Sequence, residues 1–171
     1  MVLSKHELIS ALGHEVRLLL HLAGKAGPES LSYRPSPNQR SLLELLQYLT
    51  IMAPIHLRAV MAPKFDMDAW RIAWNTGKAA ASQMNFDQAK EAIAQHPALF
   101  AEQLESCPDS RLREQIEMFG HKASRGSLLV SLVLNHYAAY RMQLFLYLKA
   151  AGRPELSTIN LWAGIDAPTN K

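Results

Sequence analysis

Read at helical spacing, His136, Tyr140, Gln143 and Tyr147 fall on one face of the stretch NHYAAYRMQLFLYLKAAGRP, Asn135 to Pro154. An imidazole can take up a proton near neutral pH, and a phenol can donate to a developing oxyanion. Together the four residues could line a small-molecule cavity or hydrogen-bond one another in a closed cluster. Leu129, Leu132 and Val133 continue the same face one turn back, so the inward stripe turns from aliphatic to polar midway. Glu15 stands inside another apolar stripe. An ionised carboxylate there needs a partner, and Arg141 or a tyrosine hydroxyl would serve; a helix rotated enough to expose Glu15 is the other reading.

The remaining histidines carry less. His56 lies on a core stripe, two turns beyond Tyr48 and so roughly 12 Å along the axis; it reads as a satisfied structural histidine. His14 and His21 share a face that looks solvated, His96 precedes Pro97 at a helix end, and His121 sits in a polar loop. Trp70, Trp74 and Trp162 read as core or interface residues, not a base-stacking platform. The single cysteine, Cys107, excludes a disulfide framework or a thiolate zinc cluster and reads as filler before Pro108. No Ser-His-Asp order, glycine-rich phosphate loop or paired-carboxylate motif is present.

Composition sets the class. At 171 residues, 49% hydrophobic and 19% charged, a single globular domain over 1–171 is expected. A net charge of +3, with both signs mixed along the chain, excludes a basic arm for nucleic acid. Charges interrupt the start, which does not read as a signal peptide, and no apolar run is long enough to span a membrane; a cytoplasmic location is expected.

The elements that must position these residues are helices. Ser4 to about Lys25 is periodic, with Leu8, Leu12, Leu19, Leu22 and Ala26 as its stripe and Ser4/Glu7 as a capping box. A proline-rich loop follows, then a helix capped by Ser41 and Glu44, with Leu42, Leu45, Leu49, Met52, His56 and Val60 inward and Tyr48 at the border. Pro54 predicts a kink near Thr50. Residues 63–85 lack a clean period, though Trp70 and Trp74 predict a short helical segment. Phe86 to Glu105 is helical and either divided or tightened by Pro97; Arg111 to Met118 makes one or two turns; the last helix runs from about Leu128 to Ala151. No strand pattern appears. The tail from Glu155 to Lys171 is too apolar to hang free and is expected to pack on the body. Four long amphipathic helices predict an all-α fold, a four-helix bundle.

Three segments, SLSYRPSPNQRSLLELLQYL, LESCPDSRLREQIEMFG and NHYAAYRMQLFLYLKAAGRP, resemble in register the DinB/YfiT-like superfamily of four-helix bundles. The resemblance spans nearly the whole chain. It implies a divalent transition metal such as zinc or nickel held by three histidines, one seven residues after the helix-starting Ser and two at i and i+4 in the last helix. It also implies thiol-transfer or isomerase chemistry at that metal. This sequence departs from the pattern. Seven residues after Ser41 stands Tyr48; His136 is present, but its i+4 partner is Tyr140; Arg141 and Gln143 are kept, while Met142 replaces Gly. A neutral phenol, with a pKa of about 10, is a poor ligand for zinc or nickel.

The expectation is therefore a degenerate site, with no metal or other cofactor and a pocket of Tyr48, His136, Tyr140 and Gln143. Function follows as a small-molecule-binding or structural protein, with a homodimer expected from the low charge content and apolar tail. Two other classes stay open: a metal-dependent thiol transferase or hydrolase with unusual ligands, and a metal-free enzyme in which His136 is the general base.

Overall fold

The computed structural model describes residues 3–166 and Pro168. Its first two long helices begin where side chains can cap them. At the head of α1 (Lys5–Ala23) the Ser4 hydroxyl accepts from the Glu7 N–H, and the Glu7 carboxylate accepts from the Ser4 N–H. At the head of α2 (Leu42–Met61), Ser41 and Glu44 repeat the exchange. The expected α2 stripe is the buried one, His56 included. α2 stays helical through Pro54. Proline has no N–H for the carbonyl four residues back; that carbonyl, on Thr50, accepts from His96 Nε2 at 3.2 Å.

α3 (Met67–Ala81) is longer than the sequence suggests. Its contact stripe is Trp70, Trp74, Gly77 and Ala81, and the two small residues hide the period because they add little apolar bulk. Gly77 sets how closely α3 lies on α2, because a Cβ there would come within 3.3 Å of both Ile51 and Ile55. The expected helix over 86–105 is two, α4 (Phe86–Ala94) and α5 (His96–Glu105), divided just before Pro97.

After α6 (Asp109–Arg113) comes a correction: residues expected to be helical or loop form a hairpin. β1 (Gln115–Met118) pairs antiparallel with β2 (His121–Ser124). The chain turns through Phe119 and Gly120, both at positive φ, 53° and 76°. Such two-residue turns are usually announced by Asn-Gly or Asp-Gly; here Phe takes the first position, so the signal was hidden. A left-handed Phe costs about 1 kcal/mol, and its ring is held against Phe65 at 4.9 Å and Trp70 at 5.1 Å.

The last long helix is composite. α7 (Arg125–Leu129) runs through a π-helical turn, Val130–Leu134, into α8 (Asn135–Ala150). Its buried face is Leu129, Val133, Tyr137, Arg141, Leu144 and Leu148. The polar stripe His136, Tyr140, Gln143 and Tyr147 was expected to be the inward face; it lies beside that face, and only Tyr147 is fully buried. The wide π turn shifts the phase of the helix, a step that a constant helical period misses.

The helices assemble with α1 against α5 and α8, and α2 against α3 and α4. Buried polar groups fix how they sit. Arg141 is 2% exposed. Its Nε donates to Glu15 Oε2 at 2.7 Å, its Nη2 to Oε1 at 3.2 Å, and its Nη1 to the Leu161 carbonyl at 2.5 Å. Thus α8, α1 and the short tail helix α9 (Thr158–Trp162) share one knot, with the Trp162 ring 4.6 Å from the guanidinium. Leu156 and Leu161 of the tail are buried, while residues 167 and 169–171 lie outside the described residues. A second knot joins α5, α8 and α2: the Tyr137 hydroxyl donates to His96 Nδ1, and His96 Nε2 donates to Thr50. A third closes the C-terminus of α2, where the buried Arg125 donates to the carbonyls of Val60, Ala62 and Pro63. Among the described residues no helix is long and apolar enough to cross a membrane.

Glu15→Gln keeps the shape of the side chain and leaves a buried guanidinium without a counter-charge. Urea unfolding should show a loss of about 3 kcal/mol, against a few tenths for a freely exposed position. Glu15→Gln with Arg141→Met removes both charges and should recover part of that loss; equal losses in the single and double variants would contradict the pairing.

Candidate functional site

α2 presents Tyr48 and, two turns on, His56. α8 runs the opposite way and sets Tyr140 against Tyr48, with ring centroids 5.0 Å apart, and His136 against His56, at 5.7 Å. One turn separates the residues on α8, but two separate those on α2. Trp74 of α3 fills the difference, 5.8 Å from Tyr48 and 5.6 Å from His56. His136 and Tyr140 are 6.0 Å apart. Five rings thus form a closed circuit, Tyr48–Tyr140–His136–His56–Trp74. Trp70 stacks on Trp74 at 5.2 Å from outside it. The indole Nε1–H of Trp70 is buried with no acceptor among the described residues.

Both imidazoles are tied by the same atom. His136 Nδ1 donates to the Leu132 carbonyl at 2.7 Å, inside the π turn, and His56 Nδ1 donates to the Met52 carbonyl at 2.9 Å. A carbonyl can only accept, so each ring carries a proton on Nδ1. Burial pushes His56 down to about 4; the Met52 carbonyl opposes that, and His136 adds to it. His56 is therefore neutral at physiological pH. The Tyr48 phenol is pushed above its ordinary value, first by burial and then by its hydrogen bond to Tyr140, so it stays protonated.

The residues expected at the site divide. Tyr48, His136 and Tyr140 come together. Gln143 does not join them; its Nε2 donates to the Tyr147 hydroxyl at 2.6 Å, and with Tyr33 and Pro35 it lines a different surface depression. Positions 136, 140, 143 and 147 share a stripe, but its two halves face different partners: α2 above, the 33–35 loop below. His56, Trp70 and Trp74 also belong to the cluster: His56 is the satisfied histidine expected on the core stripe, and its contact with His136 and the tryptophans' place beside it are what the spacing alone does not give. For the tryptophans the available signal was their i, i+4 spacing with Gly77 and Ala81 continuing the stripe. For His56 it was the antiparallel run of the two helices, which lets one turn of α8 meet both Tyr48 and His56.

A three-imidazole metal centre does not fit these residues. Two of the three positions that the resemblance gives to ligands are phenols, and burial keeps the Tyr48 proton in place. The two imidazoles offer only two lone pairs. Among the described residues, no group of three or more His, Cys, Asp or Glu side chains is disposed to hold a metal ion.

On the outer side of the circuit, Tyr48 and Trp74 line a cleft of about 460 Å³. Ile51 and Pro37 add apolar wall; Arg34, Arg40 and Lys78 bring positive charge. The Arg40 guanidinium lies over the Tyr48 ring, 4.1 Å from its centroid. Arg34 pairs with Glu44 at 3.2 Å.

No protein-family model matches the chain, and no curated protein does. Among solved structures, the chain is similar to the crystal structure of a DinB-like protein, YjoA, from Bacillus subtilis. The TM-score is 0.65 at 19% sequence identity, over 88% of this chain and 94% of that one. At that identity the likeness is one of fold, and the all-α architecture is the DinB-like one.

His56 and His96 are both buried and neutral, and burial brings each down to about 4. In the unfolded chain each takes up a proton at about 6.5. The unfolded state thus binds more protons below that pH, so stability is full above about 6.5 and falls with pH until about 4. Each histidine contributes a slope of about 1.4 kcal/mol per pH unit in the steep part of that window. Urea midpoints from pH 7 to 5, above most carboxylate titration, should show this fall. His96→Asn should flatten it, and a parent midpoint constant over that range would contradict it.

Proposed function

We propose that this chain is a small-molecule-binding protein on the DinB-like fold, and that it works without a metal. The observation that carries the reading is the Tyr48–Tyr140 ring pair, 5.0 Å apart, standing where the family resemblance places two ligands. A phenol that keeps its proton, as Tyr48 does, gives a divalent cation little. Packed ring against ring, with His136, His56 and Trp74 closing the circuit, the two tyrosines join α2 to α8 by ring contacts instead. The accessible concavity is displaced to the outer face of Tyr48 and Trp74. Its volume lies within the range of small-molecule sites, about 300–1,000 Å³. The walls include Tyr48 and Trp74 but not His136, so they offer recognition and not proton transfer by that imidazole.

Metal analysis tests the proposal directly. Protein purified without added metal should carry no stoichiometric zinc or nickel. Tyr48→His combined with Tyr140→His would restore three imidazoles to the positions the resemblance assigns, and zinc or nickel binding should appear by calorimetry where the parent has none. A parent that holds stoichiometric metal, and loses it on His136→Ala, would overturn the proposal in favour of a metal-dependent transferase or hydrolase.

A further inference from the structure

We infer that the cleft beside Tyr48 and Trp74 binds a small planar aromatic anion, its acidic group clamped between Arg40 and Lys78. The inference rests on the metal-free binding reading and names the ligand class for that site.

The charge balance of the wall comes first. Arg34, Arg40 and Lys78 face one carboxylate, Glu44. That carboxylate is already committed: it accepts from the Ser41 N–H at 2.7 Å and pairs with Arg34 at 3.2 Å. Arg40 and Lys78 have neither an ion-pair nor a hydrogen-bond partner among the described residues, and they come from opposite walls, the loop before α2 and the outer helix α3. The cleft is therefore left with two uncompensated cations across an apolar floor.

The second point is that Arg40 is held. Its guanidinium carbon lies 4.1 Å from the centre of the Tyr48 ring, a cation–π contact that limits its rotation without using its N–H groups. A guanidinium held by that contact, with its donors free, is prepared for a two-oxygen acid group, because less side-chain freedom is lost on binding. Lys78 adds a second, mobile charge. The third point is the floor. Trp74, Ile51 and Pro37 line the cleft with apolar surface beside those donors, and the aromatic faces of Trp74 and Tyr48 suit a ligand with a π-face of its own. A carboxylate and a phosphate ester share the required headgroup chemistry.

The test is isothermal titration of chelator-treated protein with 2-naphthoate, 2-naphthyl phosphate and the neutral 2-naphthamide. Both anions, or one of them, should bind at least about tenfold more tightly than the amide, and raised salt should weaken them but not the amide. The tighter anion names the headgroup. Arg40→Ala and Lys78→Ala, both at exposed positions, should each weaken the anion by about tenfold, with circular dichroism and urea stability unchanged. Equal binding of anion and amide, parent-like binding in the Arg40→Ala/Lys78→Ala double variant, or no anion binding at millimolar concentration would overturn the inference. The two levels separate cleanly. Stoichiometric metal in the parent overturns the metal-free reading while this titration stays readable; failure of the anions to bind overturns the clamp and leaves the metal-free reading standing.

Discussion

A guanidinium buried in a protein must be neutralised, and the way Arg141 is neutralised sets the rotation of the last helix. The side chain reaches Glu15 with two nitrogens and the Leu161 carbonyl with the third. That fixes position 141 toward α1 and the tail. Tyr137, one turn earlier, then faces α5 and meets His96. Tyr140 and His136, about 100° around the helix, face α2. The inner cluster is thus a consequence of an ion pair made on another face. Buried pairs contribute little net stability against an apolar replacement of equal shape, but breaking one costs several kcal/mol. Here the pair acts by excluding other rotations of α8.

The ring cluster is what joins α2 and α8. Tyr48, Tyr140, His136, His56 and Trp74 hold the two helices through ring contacts, with His56 buried and the other rings half-buried, while each imidazole is fixed by a hydrogen bond to a carbonyl of its own helix. That solution needs a neutral histidine, and burial supplies it at His56. It also needs a cover, and α3 supplies that, docked through Gly77 so that Trp74 can reach between the helices. Arg34, Arg40 and Lys78 lie outside the circuit, around the cleft.

Much of this was legible in the sequence. The capping boxes at Ser4 and Ser41, the α2 stripe and the isolated Glu15 all depend on interactions within a few residues, or on one misfit in an otherwise apolar face. So did the convergence of Tyr48, His136 and Tyr140, once the resemblance had aligned the two helices. What was not legible depends on phase or on long-range docking. The π turn at Val130–Leu134 moved the buried face of α8 by a step that a constant period does not contain. Gly77 and Ala81 concealed the docking stripe of α3. Phe119 occupied a turn position where Asn or Asp would have announced the hairpin. His56 is the satisfied core histidine the stripe suggests, but its meeting with His136 depends on how α8 crosses α2, and helix crossing is not written in either segment.

Between α2 and α8 the rings form a closed circuit in which His56 is neutral and both His56 and His136 are tied through Nδ1. Long-range proton–nitrogen correlation spectra of the imidazoles, followed through a pH titration, test it most directly. The spectra should show a proton on Nδ1 of both His56 and His136, and a His56 ring in the Nδ1–H tautomer that remains neutral until the pH approaches about 4. A His56 that carries its proton on Nε2, or that titrates like a free imidazole near 6.5 with the fold intact, would contradict it.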